Sequence, residues 1–338
     1  MNEKINSMKN LVELHIHLDG ALSVDNCKKL ASIQGIDIPS DEEIFNLLTV
    51  SPDCHDLNEF LTKFEFPLTL LQSSDGIKYA LKNLQDELVE QGLVYTEIRF
   101  APQLHTRNGL SQEDVILSAI NGLNESSLKC NLILCCMRGD DNHSENMETV
   151  RLAKKYLGKG VCAIDLAGAE GLYPTKNFSD IFAYARELGV PFTIHAGEAD
   201  GPSSVSDAIS FGSKRVGHGV RSYEDLELVK KIASLGITLE VCPTSNICTC
   251  IYDKISDMPI KYFIDNGVNV TISTDDPSIC GVTLKDELKS ISSAFDLSYS
   301  DIIKLQLNAI NASFADEVTK KEVIDLLMND LNLLHEKR

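Results

Sequence analysis

The sequence predicts a single-domain α/β protein, a (β/α)8 (TIM) barrel, and three observations support this prediction. Eight short apolar or β-branched runs recur along the 338-residue chain. Longer amphipathic segments separate most of them, and several of these segments end at glycine, as helices commonly do. Polar residues stand at the C-terminal ends of five runs, where the loops of a barrel build its functional site. A doubly wound parallel sheet is the alternative fold.

Each run has the length and composition of a buried parallel strand. The eight runs occupy residues 11–18, 93–100, 131–137, 160–168, 191–197, 215–220, 237–243 and 269–276. The segment between the first two runs, residues 23–92, has a helical pattern. We expect it to be an enlarged first connection, a lid over the barrel mouth. No linker or charge block interrupts the chain, so residues 1–338 are predicted to form one domain.

Composition excludes several classes of function. The net charge of −19 repels phosphate backbones and argues against nucleic-acid binding. The absence of a long uncharged apolar run, and of an apolar signal core in residues 1–10, argues against a membrane span and against secretion. Ten cysteines occur without a Cys-x-x-Cys pair, which favours reduced, mostly buried thiols in the cytoplasm.

Two histidines in the first run have the spacing of metal ligands on a strand. His15 and His17 point to the same face, because side chains alternate with a period of two. In a closed barrel the first and last strands are neighbours, so Asp275 can approach both. With His195 they form a set of three imidazoles and one carboxylate, which suits zinc with one position open for water. Bound Zn²⁺ lowers the pKa of such a water to about 7.

Two further residues can act beside this set. Glu198 follows His195 by three positions and is a candidate general acid/base, provided that burial keeps it protonated when needed. His218 can orient or deprotonate the water. Taken singly, each residue also has an ordinary structural interpretation: a hydrogen-bonded histidine, a solvated glutamate, or an Asp-Asp-Pro turn. Their joint placement at strand ends favours a site, since it includes four of the eight histidines: His15, His17, His195 and His218.

Seven motifs in order give the chain a specific resemblance to a known family. They are ELHIHLDGAL, FLTKF, DLAG, HAGE, VGHG, EVCPTSN and STDDP. Over nearly its whole length the chain resembles the adenosine deaminases of the amidohydrolase superfamily. The resemblance implies hydrolytic deamination of adenosine, and of 2′-deoxyadenosine, to inosine and ammonia. The implied partner is a small purine nucleoside.

The resemblance also implies roles for individual residues. It makes zinc ligands of His15, His17, His195 and Asp275, and His17 also borders the substrate. Glu198 would protonate N1 of the purine, which makes C6 electrophilic toward hydroxide formed at the metal. His218 would orient that hydroxide. Asp276 would be the acceptor of a hydrogen bond involving N7, and the Gly168 backbone would donate to N3.

Two features concern the substrate. The resemblance implies that Asp19 binds a ribose hydroxyl, whereas relatives that act on adenine tend to have Glu-Thr in an HxEGT motif. Outside this family context, Asp19-Gly20 is an ordinary turn. The apolar residues of LNEFLTKF are spaced as in an amphipathic helix, and the resemblance implies that this helix is a gate over the purine. These residues are Leu57, Phe60, Leu61 and Phe64.

The segment after DLAG departs from the family pattern. Many members have Asp-Glu where this chain has Ala169-Glu170, and we expect altered affinity rather than lost activity. Two-metal amidohydrolases commonly use a carbamylated lysine at the end of the fourth strand. This chain has no lysine in DLAGAEG, so we predict one zinc ion per chain.

Other interpretations stay open at this point. They are an adenine deaminase on the same barrel, a deaminase of a phosphorylated or N6-methylated nucleotide, and a catalytically inactive nucleoside-binding relative. The His-Ser-Glu sequence at 143–145 matches the start of a different zinc-deaminase signature, but the Cys-x-x-Cys half of that signature is missing. We therefore predict that His143 is a loop residue outside the site.

Overall fold

Eight parallel strands form the centre of the structure, a computed structural model that describes residues 1–51 and 54–335. They are β1 (Leu11–His17), β2 (Leu93–Phe100), β3 (Lys129–Met137), β4 (Val161–Ala167), β5 (His195–Ala196), β6 (Arg215–His218), β7 (Thr238–Val241) and β8 (Asn269–Ile272). Hydrogen bonds join the strands in the order β1-β2-β3-β4 in one sheet and in the order β5-β6-β7-β8 in another. All eight predicted runs therefore contain a strand.

The first seam between the two sheets joins β1 to the segment after β8. The His17 N–H donates to the carbonyl oxygen of Asp275 at 2.8 Å, and the Asp275 N–H donates to the carbonyl oxygen of His15 at 2.9 Å. The first strand is thus hydrogen-bonded to the segment that directly follows the last strand, as in a closed barrel. In an open doubly wound sheet the first and last strands generally lie apart, so that alternative is wrong.

The second seam joins β4 to the segment before β5. The Ile164 N–H donates to the Pro191 carbonyl at 3.0 Å, and the Thr193 N–H donates to the Ile164 carbonyl at 3.1 Å. Two closed seams confirm the predicted (β/α)8 barrel. The fifth strand is shorter than the run predicted for it, residues 191–197. The first residue of that run, Pro191, has no N–H to donate to a neighbouring strand.

Helices surround the barrel and fill its first connection. They are α1 (Asn2–Asn6), α2 (Val24–Gln34), α3 (Asp41–Leu48), α4 (Leu57–Leu61), α5 (Glu65–Leu70), α6 (Ser74–Gln91), α7 (Gln112–Leu123), α8 (His143–Tyr156), α9 (Ser179–Leu188), α10 (Pro202–Phe211), α11 (Leu226–Ser234), α12 (Pro243–Cys248), α13 (Ile260–Asp265), α14 (Pro277–Cys280), α15 (Leu284–Phe295), α16 (Tyr299–Ala312) and α17 (Glu317–His335). Short 3-10 turns occupy Asp19–Ala21, Thr62–Phe64, Pro102–His105, Thr175–Phe178, Val220–Glu224 and Ile255–Asp257.

The described residues of the insert, 23–92, contain the five helices α2 to α6. Side-chain caps determine where the longest ones begin: Ser23 accepts from the Asn26 N–H, and Ser73 accepts from the Gly76 N–H. The predicted helix over 57–64 is interrupted. Its α-helical part ends at Leu61, and a 3-10 turn follows before α5 begins.

Two smaller features bear on the sequence predictions. His143 is the first residue of α8 rather than a loop residue, and its Nε2 lies 2.7 Å from Oδ2 of Asp180 at the surface. All ten cysteines are free, and those predicted to be buried, Cys135, Cys136 and Cys162, are buried.

Among the described residues, no helix has the length and apolar character that crossing a membrane requires.

Candidate active site

Four side chains from three parts of the barrel converge on one point at the C-terminal ends of the strands. Nε2 of His15 lies 3.0 Å from Nε2 of His195 and 3.0 Å from Oδ1 of Asp275. Nε2 of His17 lies 3.3 Å and 3.2 Å from the same two atoms. Three imidazole nitrogens and a carboxylate oxygen facing one another in a buried space are the donor set of a cation site.

Protonation states favour metal binding by this set. Burial, together with Arg99, lowers the pKa of His15 below its ordinary value. Burial lowers the pKa of His195 to about 3. Burial would raise the pKa of Asp275, but His15 and His218 hold it well below its ordinary value. Neutral imidazoles and an ionised carboxylate are the forms that bind metal ions.

Carboxylates and a hydroxyl contact three of the four candidate ligands on the side away from the converging atoms. Nδ1 of His15 lies 2.9 Å from Oε2 of Glu240, and Nδ1 of His195 lies 2.8 Å from Oδ2 of Asp165. The Ser245 hydroxyl donates to Oδ2 of Asp275 at 2.7 Å. A carboxylate at Nδ1 holds the proton there and leaves the Nε2 lone pair free for a metal.

Two buried arginines hold these carboxylates inside the barrel. Arg99 donates to Oδ2 of Asp165 and to Oε2 of Glu240, each at 2.7 Å. Arg215 donates to Oε1 of Glu240 at 2.6 Å and to Oε2 of Glu97 at 2.5 Å. The motifs in the sequence predict no role for these residues. Charged residues within otherwise apolar strand runs were the available signal.

The two predicted acid/base residues lie beside the ligands. Oε2 of Glu198 and Oδ2 of Asp275 each lie 3.7 Å from Nε2 of His218. Burial raises the pKa of Glu198 to about 7, Asp275 and Glu170 add to this effect, and His218 opposes it. Burial lowers the pKa of His218, but Glu198 and Asp275 outweigh it, so that this pKa is raised overall.

A cavity of about 250 Å³ lies beside the candidate metal ligands, and most of the predicted site residues line it. They are His17, Asp19, Leu57, Phe60, Leu61, Phe64, Gly168, His195, Glu198, His218, Asp275 and Asp276. His15 is fully buried beside them. The cavity also has lining residues that the sequence analysis did not single out, including Met137 and Arg138. Their position directly at the end of the third run was the signal for them.

Two acids at the cavity wall have unsatisfied oxygens. Oδ1 of Asp19 and Oδ1 of Asp276 are buried and have no hydrogen-bond partner among the described residues. Burial, followed by Asp275 and Asp19, raises the pKa of Asp276 well above its ordinary value. Buried polar atoms are normally paired, and both residues line the cavity, so a polar ligand bound there would be a suitable partner for them.

The closed barrel and its buried donor set define a metal-dependent amidohydrolase. The family model for adenosine deaminase matches residues 10–330. The adenosine deaminase of Haemophilus ducreyi is 43% identical, with 93% of this chain and 94% of that protein covered. That of Enterococcus faecalis is 35% identical, with 92% and 93% covered. The chain therefore belongs to the adenosine deaminase family, and it is a deaminase enzyme.

Solved structures with similar folds include several purine-related enzymes. The adenine deaminase of Arthrobacter aurescens has a TM-score of 0.87 and 25% identity, with 96% of this chain and all of that chain covered. The N6-methyl-AMP deaminase of Arabidopsis thaliana has a TM-score of 0.85 and 24% identity, with 97% and 98% covered. An amidohydrolase of Burkholderia ambifaria, solved with bound zinc, has a TM-score of 0.86 and 21% identity, with 99% and 94% covered. These last two similarities show the fold alone.

Proposed function

We propose that this enzyme deaminates adenosine and 2′-deoxyadenosine hydrolytically, using one zinc ion: adenosine and water become inosine and ammonia. The observation that carries the proposal is the convergence of His15, His17, His195 and Asp275 beside Glu198, at the wall of a mostly apolar cavity. The relatives named adenosine deaminase, up to 43% identical over most of the chain, support it.

The donor set fits zinc, because neutral imidazoles and a carboxylate are ligands that zinc prefers. His15, His17, His195 and Asp275 would hold the ion. When bound, zinc lowers the pKa of a coordinated water to about 7 and so supplies a nucleophile at neutral pH. One ion is proposed because the end of β4, DLAGAEG, carries no lysine for a second metal.

The chain's own residues bind the purine and move protons. Glu198, kept partly protonated by burial, donates a proton to N1 and makes C6 electrophilic. His218 orients the attacking water. The Gly168 N–H donates to N3. Purine N7 has only a lone pair, so Asp276 must donate to it as the carboxylic acid. This direction reverses the acceptor role assigned from the sequence.

The gate residues exclude water from this chemistry. Leu57, Phe60, Leu61 and Phe64 line the cavity with apolar surface. Removing water strengthens the interactions of the charged groups with the purine. The ring of Phe64 lies 6.3 Å from the ring of His17, so the apolar wall extends to the metal ligands.

Asp19 favours a nucleoside over a free base. Asp19 lines the cavity and has one buried oxygen without a partner among the described residues, and a ribose hydroxyl is the donor that would satisfy it. Adenine deaminase is the second candidate, because the solved adenine deaminase shares the fold at 25% identity. The ratio of kcat/KM for adenosine to that for adenine separates the two.

The test follows the absorbance change from adenosine to inosine with the purified protein. We expect turnover that is lost on chelation and restored by zinc, and a much lower kcat/KM for adenine. Absence of turnover in the zinc-restored protein contradicts the proposal. A preference for adenine contradicts the ribose assignment alone. The cytoplasmic location predicted from the sequence belongs to this proposal and is supported by ten free thiols.

A further inference from the structure

The side chain of Glu170 accepts five hydrogen bonds from the loop and helix that follow β5. Its Oε2 accepts the N–H groups of Glu198 at 3.0 Å, Ala199 at 2.8 Å and Asp200 at 2.9 Å. Its Oε1 accepts the Gly197 N–H at 2.7 Å and the Ser204 hydroxyl at 2.5 Å. Four consecutive backbone donors thus converge on one buried carboxylate.

These contacts determine how the loop presents Glu198. The chain turns at Gly197, whose φ of +71° is in the left-handed region. The next three N–H groups would otherwise be free to point elsewhere. Hydrogen bonds from backbone N–H groups to an ionised carboxylate are stronger than those between neutral groups. Glu170 therefore gives the backbone of Glu198 one orientation.

Two arginines hold the carbonyl side of the same segment. Arg221 donates to the Ala199 carbonyl at 2.7 Å, and Arg138 donates to the His195 carbonyl at 2.6 Å. The two arginines thus bind carbonyl groups of the loop, while the Glu170 carboxylate binds its N–H groups. Glu170 is 1% exposed, and it is not among the residues that line the cavity.

We propose that Glu170 is a positioning residue, which sets the geometry of Glu198 for proton transfer without touching the substrate. This inference rests on the proposed deaminase function. A general acid works only within hydrogen-bond reach of its target atom. A displacement of about 1 Å can cost about 100-fold in rate.

The first test compares Glu170→Ala with Glu170→Gln. Alanine removes all five contacts, and we expect kcat to fall about 100-fold with little change in KM or zinc content. The glutamine amide oxygen can still accept the three N–H groups now bonded to Oε2, so we expect Glu170→Gln to recover part of kcat. Equal kcat in both variants and wild type overturns the proposal.

A double-mutant cycle separates positioning from a general structural effect. If Glu170 acts through Glu198, then Glu170→Ala should cost far less kcat in a Glu198→Gln background than in wild type. Fully additive losses show that Glu170 does not act through Glu198. The control is Glu87→Gln, which alters a half-buried glutamate that accepts from Asn26 and Asn83 outside the site. We expect that variant to keep the kcat of wild type.

Hydrogen exchange tests the same inference without activity. The amides of residues 197–200 should exchange faster in Glu170→Ala than in wild type, whereas Glu87→Gln should leave them unchanged. Unchanged exchange in folded Glu170→Ala overturns the proposal. If that variant does not fold, Glu170→Gln is measured in its place, and faster exchange at Gly197 is expected. If wild type does not deaminate adenosine, the proposed function fails, while the exchange result still decides whether Glu170 holds the loop.

Discussion

Nδ1 of His15 lies 2.9 Å from Oε2 of Glu240, and both side chains are completely buried inside the barrel. Glu240 also binds both interior arginines, Arg99 and Arg215. Those ion pairs hold the carboxylate ionised, with its pKa well below its ordinary value despite burial. His15, which is a proposed metal ligand, is therefore oriented by a charge that the core of the barrel stabilises.

Replacement of Glu240 should weaken metal binding. Glu240→Gln removes the charge behind His15, and metal affinity should fall by about 10- to 100-fold. Titration with a competing chromogenic chelator measures this. The control is Glu97→Gln, which also removes an anion from Arg215 but touches no ligand histidine. Equal losses of affinity in both variants would show that the effect is a general loss of stability.

Replacement of Asp19 should change substrate choice. Asp19→Asn removes the charge from a side chain that lines the cavity and has one buried oxygen without a partner among the described residues. Hydrogen bonds to charged groups contribute about 1.5 to 3 kcal/mol, so kcat/KM for adenosine should fall about 10- to 100-fold. Turnover of adenine should fall much less, because adenine has no ribose and only the smaller effect of Asp19 on the pKa of Asp276 acts on it. Asp25→Asn, on the exposed first turn of α2, serves as the control. A parallel loss on both substrates would place Asp19 elsewhere in the mechanism.

A methyl group at Gly20 should displace Asp276. A Cβ built on Gly20 lies 1.8 Å from Oδ1 of Asp276 and 2.6 Å from its Cγ. Gly20→Ala must therefore move the Asp276 side chain, and kcat/KM should drop at least about 10-fold while zinc content is retained. A Cβ built on Gly171 has one neighbour within 4 Å among the described residues, the Cβ of Ala199 at 3.9 Å. Wild-type kinetics are expected for Gly171→Ala, and the same kinetics in Gly20→Ala would refute the contact.

Glu287 should make stability depend on pH. Burial raises its folded-state pKa from 4.5 to about 8, so the native protein binds more protons than the unfolded chain between these values. The free energy of unfolding therefore falls as pH rises through that window, by at most about 1.4 kcal/mol per pH unit. Glu287→Gln removes this dependence. The free energy of unfolding of the variant minus that of wild type should therefore be larger at pH 8 than at pH 5. Urea unfolding at both pH values measures the difference.

Asp286, the neighbour of Glu287, supplies a control because its pKa is shifted in the opposite direction. Burial alone would raise the pKa of Asp286, but Lys289 and Thr283 hold it below its ordinary value of 3.8. Its contribution to stability is therefore complete above that value and is lost only at lower pH. Asp286→Asn should shift stability by the same amount at pH 5 and pH 8. A constant shift in Glu287→Gln as well would contradict the raised pKa of Glu287.

The sequence alone determined the number and order of the strands and the identity of the residues at their ends. Both signals are local: side chains alternate along a strand, and apolar periodicity separates strands from helices. His15 and His17 could be placed on one face without any structure. The break between α4 and the turn at Thr62–Phe64 was not visible, because the apolar spacing of residues 57–64 fits a continuous helix equally well.

Tertiary structure decided which distant residues meet. Asp275 reaches His15 and His17 only because the seam beside β1 sets the register of the segment after β8. Glu240 reaches the first strand through the barrel interior, and Glu170 reaches the loop after β5 from the preceding connection. These contacts depend on closure, register and packing between segments far apart in the chain. Local periodicity carries no information about them, so the sequence predicted the metal ligands and the acid, while the fold revealed which residues orient those side chains.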